Sequence, residues 1–366
     1  MAICTESLVK VKSNTHMKIR FQYKLRTLLI IVFLVACFLG WFMPIVRKAQ
    51  RQRQAISVIK SHGGGIQYEC SDEETWCGDS YDHKEKWGTW RGWLDDMSHD
   101  VTYVSCWFRY SQDVSDAIEH LPHVKHLAIG SSGLTGKDLG VLSSILHLES
   151  LVMQEASSLS DDDYRMIGPL LKLKRLNLVD NRITDNGLDF LGGLPKLEEL
   201  ILKKTNIHGL GLCHLVSNNK LRKLWLIECP LNEEGMITLG KTSQLEELII
   251  INCKLPHNSL AQLDGLLRLE KLTLANTGLS GDCLSSLPSL PHLKELVLSE
   301  PSLDGAALSY LPQLPALETL VLHGSPVVES DVKLFREKGV EVCLDCRKKK
   351  GRKREEKGDS HQNQGK

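Results

Sequence analysis

A block of the form L-x-x-L-x-L/I opens at Leu173, Leu197, Leu221, Leu245, Leu269, Leu293 and Leu317, each 24 residues after the last. Val124 and Leu148 carry the series upstream at spacings of 24 and 25, and Val101 and Val340 look like degenerate end units at a spacing of 23. Apolar residues alternate within the block with a period of two, so it reads as a strand. Each middle unit adds an apolar residue at its eleventh position (Ile183, Ile207, Leu231, Leu255, Leu279, Leu303). A trio at intervals of three follows, such as Leu188, Leu191 and Leu194, which suits a short helix or 3₁₀ turn. No 24-residue unit can bury such a leucine set alone. Stacking solves the problem. The expected fold is an α/β solenoid with a parallel β-sheet on the concave side, short helices or 3₁₀ turns on the convex side, and one apolar column between them.

These openings resemble the leucine-rich-repeat family over about residues 101–345. Ile183-Thr184-Asp185-Asn186-Gly187-Leu188 resembles the subtype found in many bacterial and F-box-associated repeats. In this family the ninth position of a unit is usually Asn, Cys or Thr, turned inward to hydrogen-bond the loop backbone. Asn181, Thr205, Cys229, Cys253 and Thr277 fit that role, so the neighbouring Cys229 and Cys253 need no metal or disulfide to explain them. Pro301 and Ser325 depart from the pattern, and the last units are expected to be less regular.

The overall charge, 45 Lys+Arg against 45 Asp+Glu in 366 residues, conceals three regions. Residues 1–60 hold eleven basic residues and one acid, residues 347–366 hold nine and three, and the remainder holds 25 against 41, a net of −16. An acidic body thus lies between two basic ends. Eleven cysteines, odd in number and spread along the chain, read as buried free thiols rather than a disulfide framework.

No charge interrupts the run from Thr27 to Val46, TLLIIVFLVACFLGWFMPIV. As a helix its twenty residues span about 30 Å, the thickness of a bilayer's hydrocarbon core. Trp41 and Phe42 suit the interfacial belt, and Pro44 sits near the expected helix end. Two rival readings are a cleaved signal peptide and a lipoprotein box, Leu34-Val35-Ala36-Cys37, with Cys37 lipidated. Against both, no small-residue cleavage site follows the run, and Phe38–Val46 stay apolar. An uncleaved single-pass anchor in the cell membrane is the expectation. Lys10, Lys12, Lys18, Arg20, Lys24 and Arg26 precede it and Arg47, Lys48, Arg51, Arg53 and Lys60 follow, a slight bias toward an internal amino terminus and an extracytoplasmic repeat domain.

Five regions follow: a basic segment 1–26, the span 27–46, a juxtamembrane helix and cap 47–100, repeats 101–345 and a basic tail 346–366. Ala55, Ile56 and Ile59 share one face of a helix over Arg51–Lys60, which Gly63-Gly64-Gly65 should end before a strand over Ile66–Glu69. Five of the seven tryptophans lie between Trp76 and Trp107, with Trp87, Trp90 and Trp93 spaced by three; they are expected to seal the open end of the leucine column. Cys70 and Cys77 could pair in that cap if it lies outside the cytoplasm. Together with the RFQYKLRTLLI run at Arg20–Ile30, this layout resembles bacterial single-pass leucine-rich-repeat proteins. The resemblance implies membrane anchorage and an interaction surface.

Strand alternation turns positions three, five and seven of each unit outward. Position three reads Arg175, Glu199, Lys223, Glu247, Lys271 and Glu295, an alternation of sign that favours correct strand register. Position five reads Ala128, Val152, Asn177, Ile201, Trp225, Ile249, Thr273, Val297 and Val321, and position seven adds Ile227 and Ile251. Ile201, Trp225, Ile227, Ile249 and Ile251 would form a solvent-facing apolar patch with Lys203, Lys204 and Glu228 as its polar rim. β-propensity alone would explain the isoleucines; an outward Trp beside them resembles an interface anchor.

Catalytic signals are weak. There is no HExxH, P-loop or nucleophile elbow, and Gly130-Ser131-Ser132-Gly133 lacks the needed glycine spacing. Asp161-Asp162-Asp163 reads as helix capping before cation binding, and Cys343 and Cys346 form a lone CxxC. The tail RKKKGRKR, Arg347–Arg354, reads as solvated, able at most to contact anions non-specifically; no specific nucleic acid is implied. The expected function is non-enzymatic and needs no cofactor: a tethered repeat protein that binds a protein or an envelope polymer on its concave face and meets the lipid bilayer through Thr27 to Val46. A ubiquitin-ligase-type adaptor and an enzyme with its site in residues 61–100 are the alternatives, and residues 47–100 do not look like an F-box.

Overall fold

In the computed structural model, residues 6–68, 101–107, 111–130, 133–300 and 302–344 are described. The expected Trp-rich cap, with Cys70 and Cys77, and the basic tail with Cys346 lie outside them, as does Pro301. The described residues fall into two compact units, one within 6–54 and the other from 55 to 344.

The described part of the first unit is helical. Helix α1 runs over Glu6–Ser61, with Pro44 inside it, and its residues from Ala55 onward belong to the second unit. The expected break between an apolar span and a separate basic helix does not occur. Residues 45–50 contain no glycine and continue the helix, so Pro44 removes one hydrogen bond without ending it. From Thr27 to Ser61 the helix is long and apolar enough to cross a membrane, by length and composition. From Leu28 to Trp41 its apolar side chains stand exposed, Phe33 at 67% and Trp41 at 68%.

The second unit is one sheet whose strands follow chain order: β1 (Gly65–Tyr68), β2 (Val101–Cys106), β3 (His126–Gly130), β4 (Ser150–Gln154), β5 (Arg175–Val179), β6 (Glu199–Lys203), β7 (Lys223–Ile227), β8 (Glu247–Ile251), β9 (Lys271–Ala275), β10 (Glu295–Ser299), β11 (Thr319–Leu322) and β12 (Glu341–Leu344). From β2 onward every pairing is parallel, and like positions pair: Leu200 meets Leu224, Leu224 meets Leu248, Leu248 meets Leu272. A slip by one residue would turn every leucine outward, so the hydrophobic pattern fixes the register. The exception to the expected parallel sheet is β1, which pairs antiparallel with β2. It reaches that edge directly from α1 through Gly63, whose φ of +77° is open to glycine at little cost.

Leucines at the first, fourth, sixth and eleventh positions of the units are buried throughout the middle of the sheet, and the later trio joins them in a continuous core. Each such side chain contributes roughly 1.5–3 kcal/mol of burial free energy. At the amino-terminal end, Ala55, Ile56 and Ile59 of α1 join that core, at 2%, 0% and 0% exposure. Trp107, the one described member of the expected tryptophan seal, does not: it is 37% exposed and outside the core. Aliphatic residues from the helix fit the end of a leucine column more closely than a broad indole does.

Opposite the sheet lie 3₁₀ turns such as Asp185–Gly193, Leu210–Leu215 and Ser259–Gly265, with α-helix at Glu233–Gly240. Their approach explains the glycine of the I-T-D-x-G-L pattern. A methyl group on Gly235 would lie 2.1 Å from the His208 carbonyl oxygen, and one on Gly211 would lie 2.4 Å from that of Asp185.

Candidate interaction surface

At Asn181, Cys229 and Cys253 the ninth-position side chain meets the backbone of the unit before it, whereas the hydroxyls of Thr205 and Thr277 meet side chains of the following unit, Cys229 Sγ at 3.3 Å and Glu300 Oε1 at 2.6 Å. Asn181 Oδ1 accepts from the Ala156 N–H at 2.8 Å, and its Nδ2 donates to the Met153 carbonyl at 3.1 Å. The Cys229 thiol donates to the Leu202 carbonyl and the Cys253 thiol to that of Leu226, both at 3.4 Å. Both cysteines are free thiols, and the hydrogen bond to Cys229 together with burial pushes the Cys253 thiol well above its ordinary range. This is the ladder role the family resemblance implies. Where Pro301 occupies the ninth position, Glu300 takes over: buried to 1% exposure, its Oε1 accepts from the N–H and hydroxyl of Thr277 at 2.5 and 2.6 Å.

The ladder follows a repeated backbone turn. Glu155, Asp180, Lys204, Glu228, Asn252 and Asn276, all at the eighth position, have φ between 50° and 56°. That left-handed conformation aims each N–H at the next strand: Lys204 N–H donates to the Ile227 carbonyl and Glu228 N–H to the Ile251 carbonyl, both at 2.8 Å. Lys204 and Glu228, expected in the polar rim, therefore occupy turns at the strand ends with exposed side chains, while Lys203 closes β6 and is half-buried.

Ile201, Trp225 and Ile249 are register partners on β6, β7 and β8, and Ile227 pairs with Ile251 beside them. All five alternate with the core leucines and stay outside the core, each half-buried by its neighbours on the sheet's open face. The expected patch is therefore contiguous. The Trp225 indole N–H donates to Glu247 Oε1 at 3.1 Å, which fixes the ring against the strand.

The position-three charges close in discrete pairs rather than the expected continuous ladder. Lys223 meets Glu247 at 3.7 Å and Lys271 meets Glu295 at 3.0 Å, whereas Arg175 closes no ion pair among the described residues. Hydrogen bonding to Glu295 holds the Lys271 ammonium above its ordinary range. A second set at position two escaped the sequence reading: Lys174 with Glu149 at 2.8 Å, Arg222 with Glu246 at 2.9 Å and Lys294 with Glu270 at 3.0 Å. Its alternation was visible, but position two precedes the strands and was not assigned to a face. Lys174 draws the Glu149 carboxyl below its usual range through their hydrogen bond. Trp107, expected in the seal, lies against Gly130 instead; a methyl on Gly130 would lie 2.9 Å from its Cε3, so the missing side chain there makes room for the indole.

The three aspartates at Asp161–Asp163 are engaged. Asp163 closes a capping box with Ser160, Asp161 accepts from the Thr184 N–H at 2.9 Å, and Asp162 pairs with Arg165 at 2.6 Å. Cys343 on β12 is disulfide-bonded.

In-register parallel strands, an inward ninth-position ladder and an unbroken leucine column define a leucine-rich-repeat solenoid. No family model matches the sequence, and no curated protein matches it. Among solved structures the chain is similar to an internalin of Listeria monocytogenes, at 18% identity and TM-score 0.46 over 63% of this chain and 64% of that one. It is similar to a leucine-rich-repeat protein of Leptospira interrogans, at 19% identity and TM-score 0.44 over 63% and 57%. A chain of the yeast Rad7 and Elc1 complex gives a match at 21% identity and TM-score 0.45 over 59% and 62%. The chain thus spans less than two thirds of the length of each of these structures.

Proposed function

We propose that the chain is a membrane-tethered, non-enzymatic interaction protein that takes a protein partner on the open, concave face of its sheet. One observation carries the reading: Trp225 and four isoleucines share that face on three register-paired strands, with the indole held by Glu247. An apolar patch of this kind favours a protein over a polar envelope polymer. The exposed apolar helix from Thr27 supports tethering in the lipid bilayer. An extracytoplasmic repeat domain belongs to the same proposal and rests on the flanking basic residues alone.

Trp225→Ala should weaken partner capture by about 30-fold, as for a central aromatic anchor. Stability should fall by about 1 kcal/mol or less, the worth of one half-exposed hydrogen bond. Surface plasmon resonance and thermal melts on the same protein separate the two; a large stability loss with unchanged binding would refute the assignment. Tethering has its own test. The full chain should stay with membranes through alkaline carbonate extraction and release only into detergent, whereas release by carbonate would exclude a spanning helix.

A further inference from the structure

The open face holds a second group of side chains, next to the apolar patch. His126, Ser150 and Arg175 are register partners at position three of β3, β4 and β5. Here the alternation of charge breaks down, because the strand between the two basic groups offers a hydroxyl instead of an acid. Arg175 is exposed and His126 half-buried, and neither side chain closes an ion pair among the described residues. Of the acids beside them, Glu149 is drawn to Lys174 at 2.8 Å, and Glu199, the register partner of Arg175 on β6, closes no ion pair with it among the described residues. What remains is a guanidinium and an imidazole about 10 Å apart across two strand spacings, with a hydroxyl between them. That arrangement offers three hydrogen-bond donors to one oxyanion.

We infer that His126, Ser150 and Arg175 form a carboxylate seat for an Asp or Glu of the same partner whose apolar side chain lies on Trp225. The inference rests on the concave-face reading proposed above and adds the chemistry of what binds there. Spacing makes it specific. From β4 to β7 is three strand intervals, about 14 Å, which an extended chain crosses in about four residues. The partner segment therefore carries an acid and, about four residues away, a large apolar side chain. The groups around the imidazole are Tyr103 from β2, Lys125 just before its own strand, Glu149 just before β4, Lys174 just before β5, and Arg175 on β5. Burial and then Arg175 hold His126 below its ordinary range, with Glu149 opposing them, so a seated carboxylate would move it upward.

The test is selection of random extended twelve-residue peptides on phage against the full chain in detergent micelles. Enriched peptides should carry Asp or Glu about four residues from Trp, Phe, Leu or Ile. For such a peptide, synthesised alone, Arg175→Gln should weaken binding about tenfold, as loss of a charge-assisted bond does. The His126 imidazole resonances should titrate at higher pH with the peptide bound than without it. Trp225→Ala should abolish the apolar preference and leave the acidic one. Enrichment without an acid, or an acidic preference that survives the double change His126→Gln, Arg175→Gln, would overturn the seat while leaving the apolar site standing. No enrichment at all would overturn the concave-face reading and the seat with it.

Discussion

Leu248→Ala is expected to lower the unfolding free energy by about 3 kcal/mol, because a buried leucine cut to alanine loses its transfer free energy and leaves a cavity. Leu248 lies in β8 at 0% exposure, paired with Leu224 on one side and Leu272 on the other. In a stacked array, stability is approximately a sum of unit and interface contributions, so a defect in a middle strand weakens two interfaces. Leu248→Met keeps the volume and should cost less than about 1.5 kcal/mol. Urea denaturation of the two variants checks the contrast; equal losses would mean that packing at this position is not what holds the column.

Glu300→Ala is expected to cost about 3 kcal/mol by a different route. Its carboxylate accepts from the Thr277 N–H at 2.5 Å, the Thr277 hydroxyl at 2.6 Å and the Gly278 N–H at 3.3 Å, all at the loop that Pro301 cannot serve. Without the carboxylate, buried donors lose their acceptor, and that desolvation exceeds the net worth of the bonds themselves. Glu300→Gln keeps one oxygen and should recover about half. Hydrogen exchange at the Thr277 amide gives the local reading: protected in the parent, fast in the alanine variant. Continued protection would show that another group supports this loop.

How much of this was legible beforehand depends on which force set each feature. The leucine period, the register and the inward turn of Asn181, Cys229 and Cys253 follow from burial and from side-chain hydrogen-bonding capacity, both written in residue type. The patch around Trp225 could be placed because strand alternation alone decides which side chains leave the core. Backbone conformation left no such mark. The left-handed eighth position carries Glu155, Asp180, Lys204 and Glu228 instead of glycine, because the bond to the next strand offsets the strain in each unit. Antiparallel β1 was equally hidden, since pairing direction depends on how α1 delivers the chain to the edge. Glu300 lies one residue away from the position it serves, so a reading by position sees only the missing partner at Pro301. His126 and Ser150 carry no mark of their own, because they precede the alternation of charge that begins at Arg175.

The alternating signs at position three constrain how such a chain can grow or shrink. Excising the unit that carries Glu199 would bring Arg175 beside Lys223, and excising the next would set Glu199 against Glu247. Like charges on facing strands are destabilising. Removing both units together would place Arg175 beside Glu247 and restore opposite neighbours. In this stretch the tolerated genetic step is an even number of cassettes, so the ladder acts as a parity check on duplication and loss.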